Sequence, residues 1–289
     1  MPAKYAYYPG CSLHSTGSEY DISFRAVCEK TGLEIEEIKG WICCGTSPAH
    51  SSSKLLSLAL PFENLCLADE MGMTDVVAPC ASCFARLRTA AFEAREDPEL
   101  AGQISEALNK PLPENMNILS PLEIFHGGED LGATVTKDLP GLKVACYYGC
   151  LLTRPSKIMQ FDECEYPMAM DELLGSMGIT TLDWSYKTEC CGGALAMTRT
   201  DVVLKLTHDI LEEARAVGAN AIAVACPLCH VNLDTRQEEV EQEYGVKYEL
   251  PIFYFTQLMG LAMGIEPAKL GLQKHFVGAD ELLSGISEG

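Results

Sequence analysis

Short apolar runs, each followed by a longer stretch with helical spacing, recur along both halves of the chain. Residues 4–8 alternate enough to read as a strand running into Pro9-Gly10-Cys11. The spacing then predicts a helix over 19–30 and a strand over 33–38, with Trp41-Ile42-Cys43-Cys44-Gly45 as a loop. Ser51-Ser52-Ser53 can cap a helix continuing to residue 70, in which Pro61 marks a kink or break. An apolar strand over 75–78 ends at Pro79-Cys80, and Cys83 opens a helix to residue 95.

The second half repeats that order. Residues 142–147 form a strand into Gly149-Cys150, a helix covers 168–177, and Cys190-Cys191-Gly192-Gly193 follows as a loop. A helix over 201–217 leads to a strand over 221–225, which ends at Cys226-Pro227-Leu228-Cys229 and passes into another helix. Short strands alternating with helices predict an α/β protein of two homologous domains, each a small parallel sheet flanked by helices and related by internal duplication. Residues 97–113 are a longer excursion in the first half that breaks the match between copies. The glycine-rich segment 126–140 reads as the connection, dividing the chain into domains 1–132 and 133–289. Residues 251–265, interrupted by Thr256, Gln257 and Gly260, are too short to span a bilayer and read as a core or interface helix.

Composition narrows the class. With 47% hydrophobic and 21% charged residues and no low-complexity tract, the chain reads as a soluble globular enzyme. Its 41 acidic against 21 basic residues, a formal charge of −20, argue against nucleic acid as a partner, because phosphate binding needs a basic surface. Met1-Pro2-Ala3-Lys4-Tyr5 lacks the apolar region of a secretory signal, so a cytoplasmic protein is expected. In that reducing compartment, fourteen cysteines point to metal binding or redox chemistry rather than to disulfides.

Ten of those cysteines fall into two copies of one pattern: a lone Cys, an adjacent pair followed by Gly, then a CxxC. The first copy is Cys11, Cys43, Cys44, Cys80 and Cys83, with 31 and 35 residues in its two long gaps. The second is Cys150, Cys190, Cys191, Cys226 and Cys229, with 39 and 34. Adjacent cysteines on an extended strand face opposite ways, so each pair reaches one centre only from a turn, which the following glycines permit. In each CxxC the first Cys ends a strand and the second enters a helix, whose positive end suits a negatively charged inorganic core. A tetrahedral zinc or a four-iron cubane needs four thiolates, so one of each five is surplus: it bridges irons, exchanges for a substrate sulfur, or stands by. Iron–sulfur chemistry ranks ahead of structural zinc and of unmetallated thiols on ligand type and compartment.

The doubled pattern, with Gly10-Cys11, Cys43-Cys44-Gly45, Gly149-Cys150 and Cys190-Cys191-Gly192-Gly193, resembles the CCG domains of the B subunit of heterodisulfide reductase over nearly the whole chain. Relatives of that family include iron–sulfur subunits of anaerobic glycerol-3-phosphate dehydrogenase, glycolate oxidase and thiol:fumarate reductase. The resemblance implies that each cysteine set holds a noncubane [4Fe–4S] cluster with one thiolate bridging irons. It implies reductive cleavage of the coenzyme M/coenzyme B mixed disulfide between two facing clusters, each liberated sulfur being captured by an iron. Many relatives carry a fused ferredoxin-like run of cysteines, and this sequence has none. Electrons are therefore expected from the C and A subunits of heterodisulfide reductase, the former with cubane iron–sulfur clusters and the latter with flavin, fed by a hydrogenase or formate dehydrogenase.

Such a substrate carries sulfonate, phosphate and carboxylate groups, so cations near the motifs are candidates for binding it: His14, Arg154, Lys187, Arg199 and His230, with Arg86 also nearby. His14 and Arg154 occupy comparable positions after Cys11 and Cys150. His230 follows Cys229 and has the alternative role of donor to a cluster sulfide. Cys28, Cys66, Cys146 and Cys164 lie outside both sets and are expected to be small buried apolar residues. No catalytic group beyond the clusters is evident. The competing classes are an iron–sulfur electron-transfer subunit of a quinone-linked or hydroxyacid dehydrogenase, and a structural zinc module.

Overall fold

Parallel strands need a crossover, and here every crossover runs through at least one helix. A computed structural model of the chain describes residues 4–46, 48–128 and 131–287. In the first lobe the order is β1 (Lys4–Tyr7), α1 (Gly10–Leu13), α2 (Ser18–Thr31), β2 (Glu34–Glu37), α3 (Pro48–Ser52), α4 (Lys54–Glu70), β3 (Asp75–Val77), α5 (Ala81–Glu96), α6 (Pro98–Leu108), β4 (Asn117–Leu119) and α7 (Pro121–His126). The second lobe follows with β5 (Lys143–Tyr147), α8 (Ser156–Met159), α9 (Ala169–Ser176), β6 (Thr180–Leu182), α10 (Thr200–Ala216), β7 (Ala221–Val224), α11 (Pro227–Thr235), α12 (Gln237–Tyr244), β8 (Ile252–Tyr254), α13 (Phe255–Ala262) and α14 (Asp280–Ser287). Strand order is β2-β1-β3-β4 in one sheet and β6-β5-β7-β8 in the other, all neighbours parallel. The duplication is thus complete at the level of topology.

Several segments differ from their expected form. Pro61 does not end α4, which keeps Leu58, Phe62 and Leu65 buried; tertiary packing outweighs the lost hydrogen bond. Of the three serines only Ser53 caps α4, its Oγ accepting from Leu56 N at 3.3 Å, while Ser51 and Ser52 belong to α3. The excursion at 97–113 holds α6, which starts at Pro98 and is capped by the Asp97 carboxylate. Residues 251–265 are a short strand, β8, running into α13, because Ile252 to Tyr254 complete the ladder beside β7. Within the expected connection at 126–140, Glu129 and Asp130 lie outside the described residues, as do residues 1–3.

The lobes meet across a pseudo-twofold seam: α2 packs on α13, and the corresponding pair α7 and α9 packs beside it. Equivalent helices open alike, since the Glu123 carboxylate accepts from Ser120 N at 2.7 Å and the Gln257 amide oxygen accepts from Tyr254 N at 2.9 Å. At the centre the Tyr254 ring lies between Tyr20 and His230, 4.3 Å from each centroid, and Ser23 Oγ meets Thr256 Oγ1 at 2.7 Å. All five residues are buried. Stacks of this kind add about 0.5–1.5 kcal/mol each beyond the area they bury.

Close approach at this seam depends on Gly17, where a Cβ would sit 2.7 Å from Pro227 Cβ. Gly17→Ala is therefore expected to destabilise the chain by about 1–3 kcal/mol through overpacking. A urea midpoint equal to the parent's would show that the lobes are not in contact there.

Candidate metal centre

Cys11, Cys43-Cys44 and Cys80-x-x-Cys83 ride on the loops that leave the carboxyl ends of β1, β2 and β3, three adjacent strands. A parallel sheet delivers such loops to one edge, and the second lobe does the same with β5, β6 and β7. Gly10 at φ +66° and Gly149 at φ +69° turn the chain so that Cys11 and Cys150 face the other thiols. A Cβ at Gly10 would lie 2.8 Å from Cys83 Sγ, and one at Gly149 3.1 Å from Cys229 Sγ, so only glycine leaves these cradles open.

The thiols gather in matching contacts. Cys44 Sγ is 3.4 Å from Cys83 Sγ, Cys191 Sγ is 3.4 Å from Cys229 Sγ, and Cys150 Sγ is 3.9 Å from Cys190 Sγ. Gly45 N donates to Cys43 Sγ at 3.4 Å and Gly192 N to Cys190 Sγ at 3.3 Å, from glycines at φ +74° and +75°. Cys80 and Cys226, the first thiols of the two CxxC elements, lie within hydrogen-bonding reach of each other across the seam. Six of the ten are buried (Cys44, Cys80, Cys83, Cys191, Cys226 and Cys229), whereas Cys11, Cys43 and Cys190 are exposed and Cys150 is partly so. Each set therefore runs from an open rim to a shared floor.

Hydrogen bonding between neighbouring thiols favours the thiolate at Cys44, Cys190 and Cys226. The hydrogen bond from Cys83, aided by Thr46 and the Arg86 charge, lowers Cys44 to about 6, and the bond from Cys150 lowers Cys190 to about 6. Cys226 is held low by Cys229 and Cys80, while Cys80 and Cys83 are pushed up by the thiols they serve and by burial. Thiolates are the metal-binding form. Among the described residues no group of three or more His, Cys, Asp or Glu is arranged around a single ion. Five soft donors spread along an open cradle, with backbone N–H groups aimed at the sulfurs, fit a bulky thiolate-bound cluster.

Two functional residues escaped the sequence reading. Tyr8 lies beneath Gly10 and donates to Ile42 O at 2.7 Å; Tyr147 lies beneath Gly149 and donates to Glu189 O at 2.6 Å. Each phenol thus fixes the residue before a Cys-Cys pair, and burial among the thiols holds it protonated. The signal was the tyrosine that precedes each Gly-Cys, at Tyr8 to Cys11 and Tyr147 to Cys150. Tyr20 and Tyr254 form a second such pair at the seam. Their buried hydroxyls find no partner among the described residues and lie within electrostatic reach of Cys80 and Cys226.

The expected substrate cations scatter. His14 stands half-exposed, edge-on to Trp41 at 5.1 Å and 3.4 Å from Glu37. Arg154 binds Thr188 O at 3.2 Å and Thr188 Oγ1 at 3.0 Å and pairs with Glu165. Arg199 forks onto Asp201 at the surface. Lys187 has no exposed surface: its ammonium sits 2.9 Å from Asp171 and donates to Pro167 O at 3.2 Å, and its carbonyl accepts from Tyr148 N and Gly149 N. It braces the Cys150 loop from below and offers no charge to a ligand. His230 is likewise buried, its Nε2 3.0 Å from Ile252 O, and desolvation lowers it to about 3, so it is a neutral seam residue. Cys28, Cys66 and Cys146 are buried, but Cys164 is only partly so, on an acidic loop between Glu163 and Glu165.

The chain matches the family described as "Cysteine-rich domain", CCG, over residues 5–88 and 144–234, once per lobe. It is 30% identical over 289 residues to the 8-methylmenaquinol:fumarate reductase membrane anchor subunit of Wolinella succinogenes, covering 98% of this chain and 100% of that one. It is 30% identical over 295 residues to the B subunit of the Ferredoxin/F(420)H(2)-dependent CoB-CoM heterodisulfide reductase of Methanosarcina acetivorans, covering 99% of this chain and 98% of that one. A crystal structure of a hypothetical protein from Helicobacter pylori superposes with a TM-score of 0.77 at 14% identity, over 96% of this chain and 52% of that chain. This chain spans about half the length of that protein, and the likeness is one of fold.

Since Lys187 and Asp171 are a buried pair, Lys187→Met leaves a carboxylate without its partner and is expected to cost about 3–5 kcal/mol. Chemical denaturation checks this. A variant as stable as the parent would restore Lys187 as a candidate substrate contact.

Proposed function

The chain belongs to the CCG cysteine-rich domain family, and on that premise we propose that it is the catalytic subunit of a heterodisulfide reductase. In this reading Cys11, Cys43, Cys44, Cys80 and Cys83 hold one noncubane [4Fe–4S] cluster in the lobe of residues 1–132. Cys150, Cys190, Cys191, Cys226 and Cys229 hold a second in the lobe of residues 133–289. The observation that carries it is the meeting of Cys80 with Cys226, which sets the buried ends of two equivalent thiol sets against each other. The reaction is RS–SR′ + 2e⁻ + 2H⁺ → RSH + R′SH, with the coenzyme M/coenzyme B mixed disulfide as substrate. When bound, such clusters supply one electron each and iron sites for sulfur.

The chain's own groups supply the rest. Cys11, Cys43 and Cys190 are exposed, so a disulfide would approach from that side toward the buried thiols. The unpartnered hydroxyls of Tyr20 and Tyr254 are donors for a sulfur at the mid-line. Tyr8 and Tyr147 keep the Cys-Cys loops from shifting as charge changes. Electrons would come from the cubane-carrying and flavin-carrying members of the complex, with a hydrogenase or formate dehydrogenase upstream, in the cytoplasm. No helix among the described residues is long and apolar enough to cross a membrane.

A second reading, an electron-transfer subunit of a quinone-linked enzyme, is favoured by one observation: equal identity to the menaquinol:fumarate reductase subunit along the whole chain. Anaerobic assay of the native complex with a reduced viologen separates the two. Reduction of the mixed disulfide is the expected result; quinone-linked activity without it would establish the second reading.

Protein purified without oxygen should contain about eight irons, and Cys80→Ala or Cys226→Ala should each lose about one cluster. Full iron in both variants would refute the ligand assignment. Tyr20→Phe and Tyr254→Phe remove buried hydroxyls without a well-formed hydrogen bond among the described residues, so thermal stability should hold or rise while disulfide turnover falls about tenfold, the worth of one hydrogen bond. Stability lost with turnover unchanged would make both residues purely structural.

A further inference from the structure

The two lobes repeat the same backbone around their thiols, so each residue beside one set has a counterpart beside the other, and among the pairs that differ in polarity three bear on the charge or hydrogen bonding at the sulfurs. Two residues after the Cys-Cys pair stands Thr46 in the first lobe, its Oγ1 3.4 Å from Cys44 Sγ and 3.5 Å from Ser82 O, a hydroxyl able to donate to a thiolate there, whereas the second lobe has Gly193, with no side chain. Three residues after the CxxC stands Arg86, partly buried on α5 and without an ion pair among the described residues. Its counterpart is Asn232, neutral, buried and committed to Cys191 O at 2.9 Å. Immediately before the pair stands Ile42 in the first lobe and the exposed carboxylate of Glu189 in the second. Other nearby charges are held in ion pairs: Asp21 and Glu37 share Arg25, Arg154 pairs with Glu165, and Lys187 with Asp171.

All three differences have one sign. Hydrogen bonds to a cluster's sulfurs and positive charge beside it favour the reduced, more negative state, and a carboxylate opposes it. We infer that the two centres are unequal electron acceptors: the first-lobe centre, beside Thr46 and Arg86, has the higher reduction potential, and the second-lobe centre, beside Glu189, the lower. This rests on the reading that both sets hold iron–sulfur clusters. A first electron from an external one-electron donor, such as a reduced viologen, settles in the first lobe. The second-lobe centre is reduced only at lower poise.

The test is a reductive titration of the iron-loaded full-length chain, followed by electron paramagnetic resonance, in the parent and in variants that exchange residues between lobes. The parent should show two one-electron waves. Thr46→Gly with Arg86→Asn should move only the higher wave, downward, by at least a tenfold change in the reduction constant, which is about 59 mV for one electron. Arg86→Lys should keep it in place. Glu189→Ile, an exposed substitution in the other lobe, should move only the lower wave, upward, so the inference does not hang on one variant folding. Iron for a single cluster in the parent would overturn the two-centre reading and this inference with it. Two centres whose waves stay fixed under the exchanges, or a higher wave that answers to Glu189→Ile, would overturn the ordering alone and leave the two-centre reading intact.

Discussion

The site exists because two CxxC elements are held head to head, and what holds them is the aromatic seam. Tyr254 is clasped between Tyr20 from one lobe and His230 from the other, and His230 is the residue after Cys229. Packing of that stack fixes the start of α11, and with it the Cys226 thiol, against the first lobe. Protein interiors tolerate little slack, so a seam of flat rings at stacking distance sets this register to a fraction of an ångström. His230 serves by remaining neutral, since an imidazolium in that apolar stack would lack a close counter-charge; the nearest carboxylate, Glu19, is 3.7 Å away and is itself pushed toward its neutral form by burial. The seam therefore does the positioning, and the thiols are free to differ from one another in charge.

Much of this was legible in the chain, and the reasons are particular. The doubled cysteine spacing survives because thiolate geometry allows few alternatives, so the ten residues that gather into two sets were identifiable without coordinates. The strands flanking them, β1, β3, β5 and β7, were legible because they are buried apolar runs at sheet centres. Of the outer strands only β2 was: β4, β6 and β8 are three residues each with no cysteine motif to mark where they end, and β8 merges without a break into the apolar helix behind it. Pro61 misled for the opposite reason, since a local rule was overruled by the core that α4 covers. The cations misled because sequence proximity says nothing of direction. Lys187 is three residues from Cys190, yet its side chain turns inward to Asp171, a partner sixteen positions earlier that no local pattern reveals.

Tyr8 and Tyr147 show what a repeat can still disclose when only its cysteines are compared. Each phenol spans from the end of a central strand to the carbonyl before a Cys-Cys pair, tying the first thiol's loop to the next two. A Cys-Cys turn with glycine after it is otherwise loose, since the glycine that permits positive φ also permits many other conformations. One buried hydrogen bond there contributes about 1 kcal/mol, enough to bias a loop that has little else to order it.

Symmetry of backbone with asymmetry of side chain is the combination that suits the proposed splitting of a two-electron bond. Two centres with identical surroundings would take up electrons at the same poise, and neither fragment of an unsymmetrical disulfide would have a preferred side. The seam forces both sets to share one floor, so large structural differences between them are excluded; what remains adjustable is the polarity at the rim, where Thr46, Arg86 and Glu189 replace Gly193, Asn232 and Ile42 without disturbing any strand or helix. Thr46 borders the buried Cys44, whereas Glu189 adjoins the exposed Cys190, so each acts through few intervening atoms. A duplicated unit can in this way keep the geometry that brings two sulfurs together while its halves diverge in how readily they accept an electron.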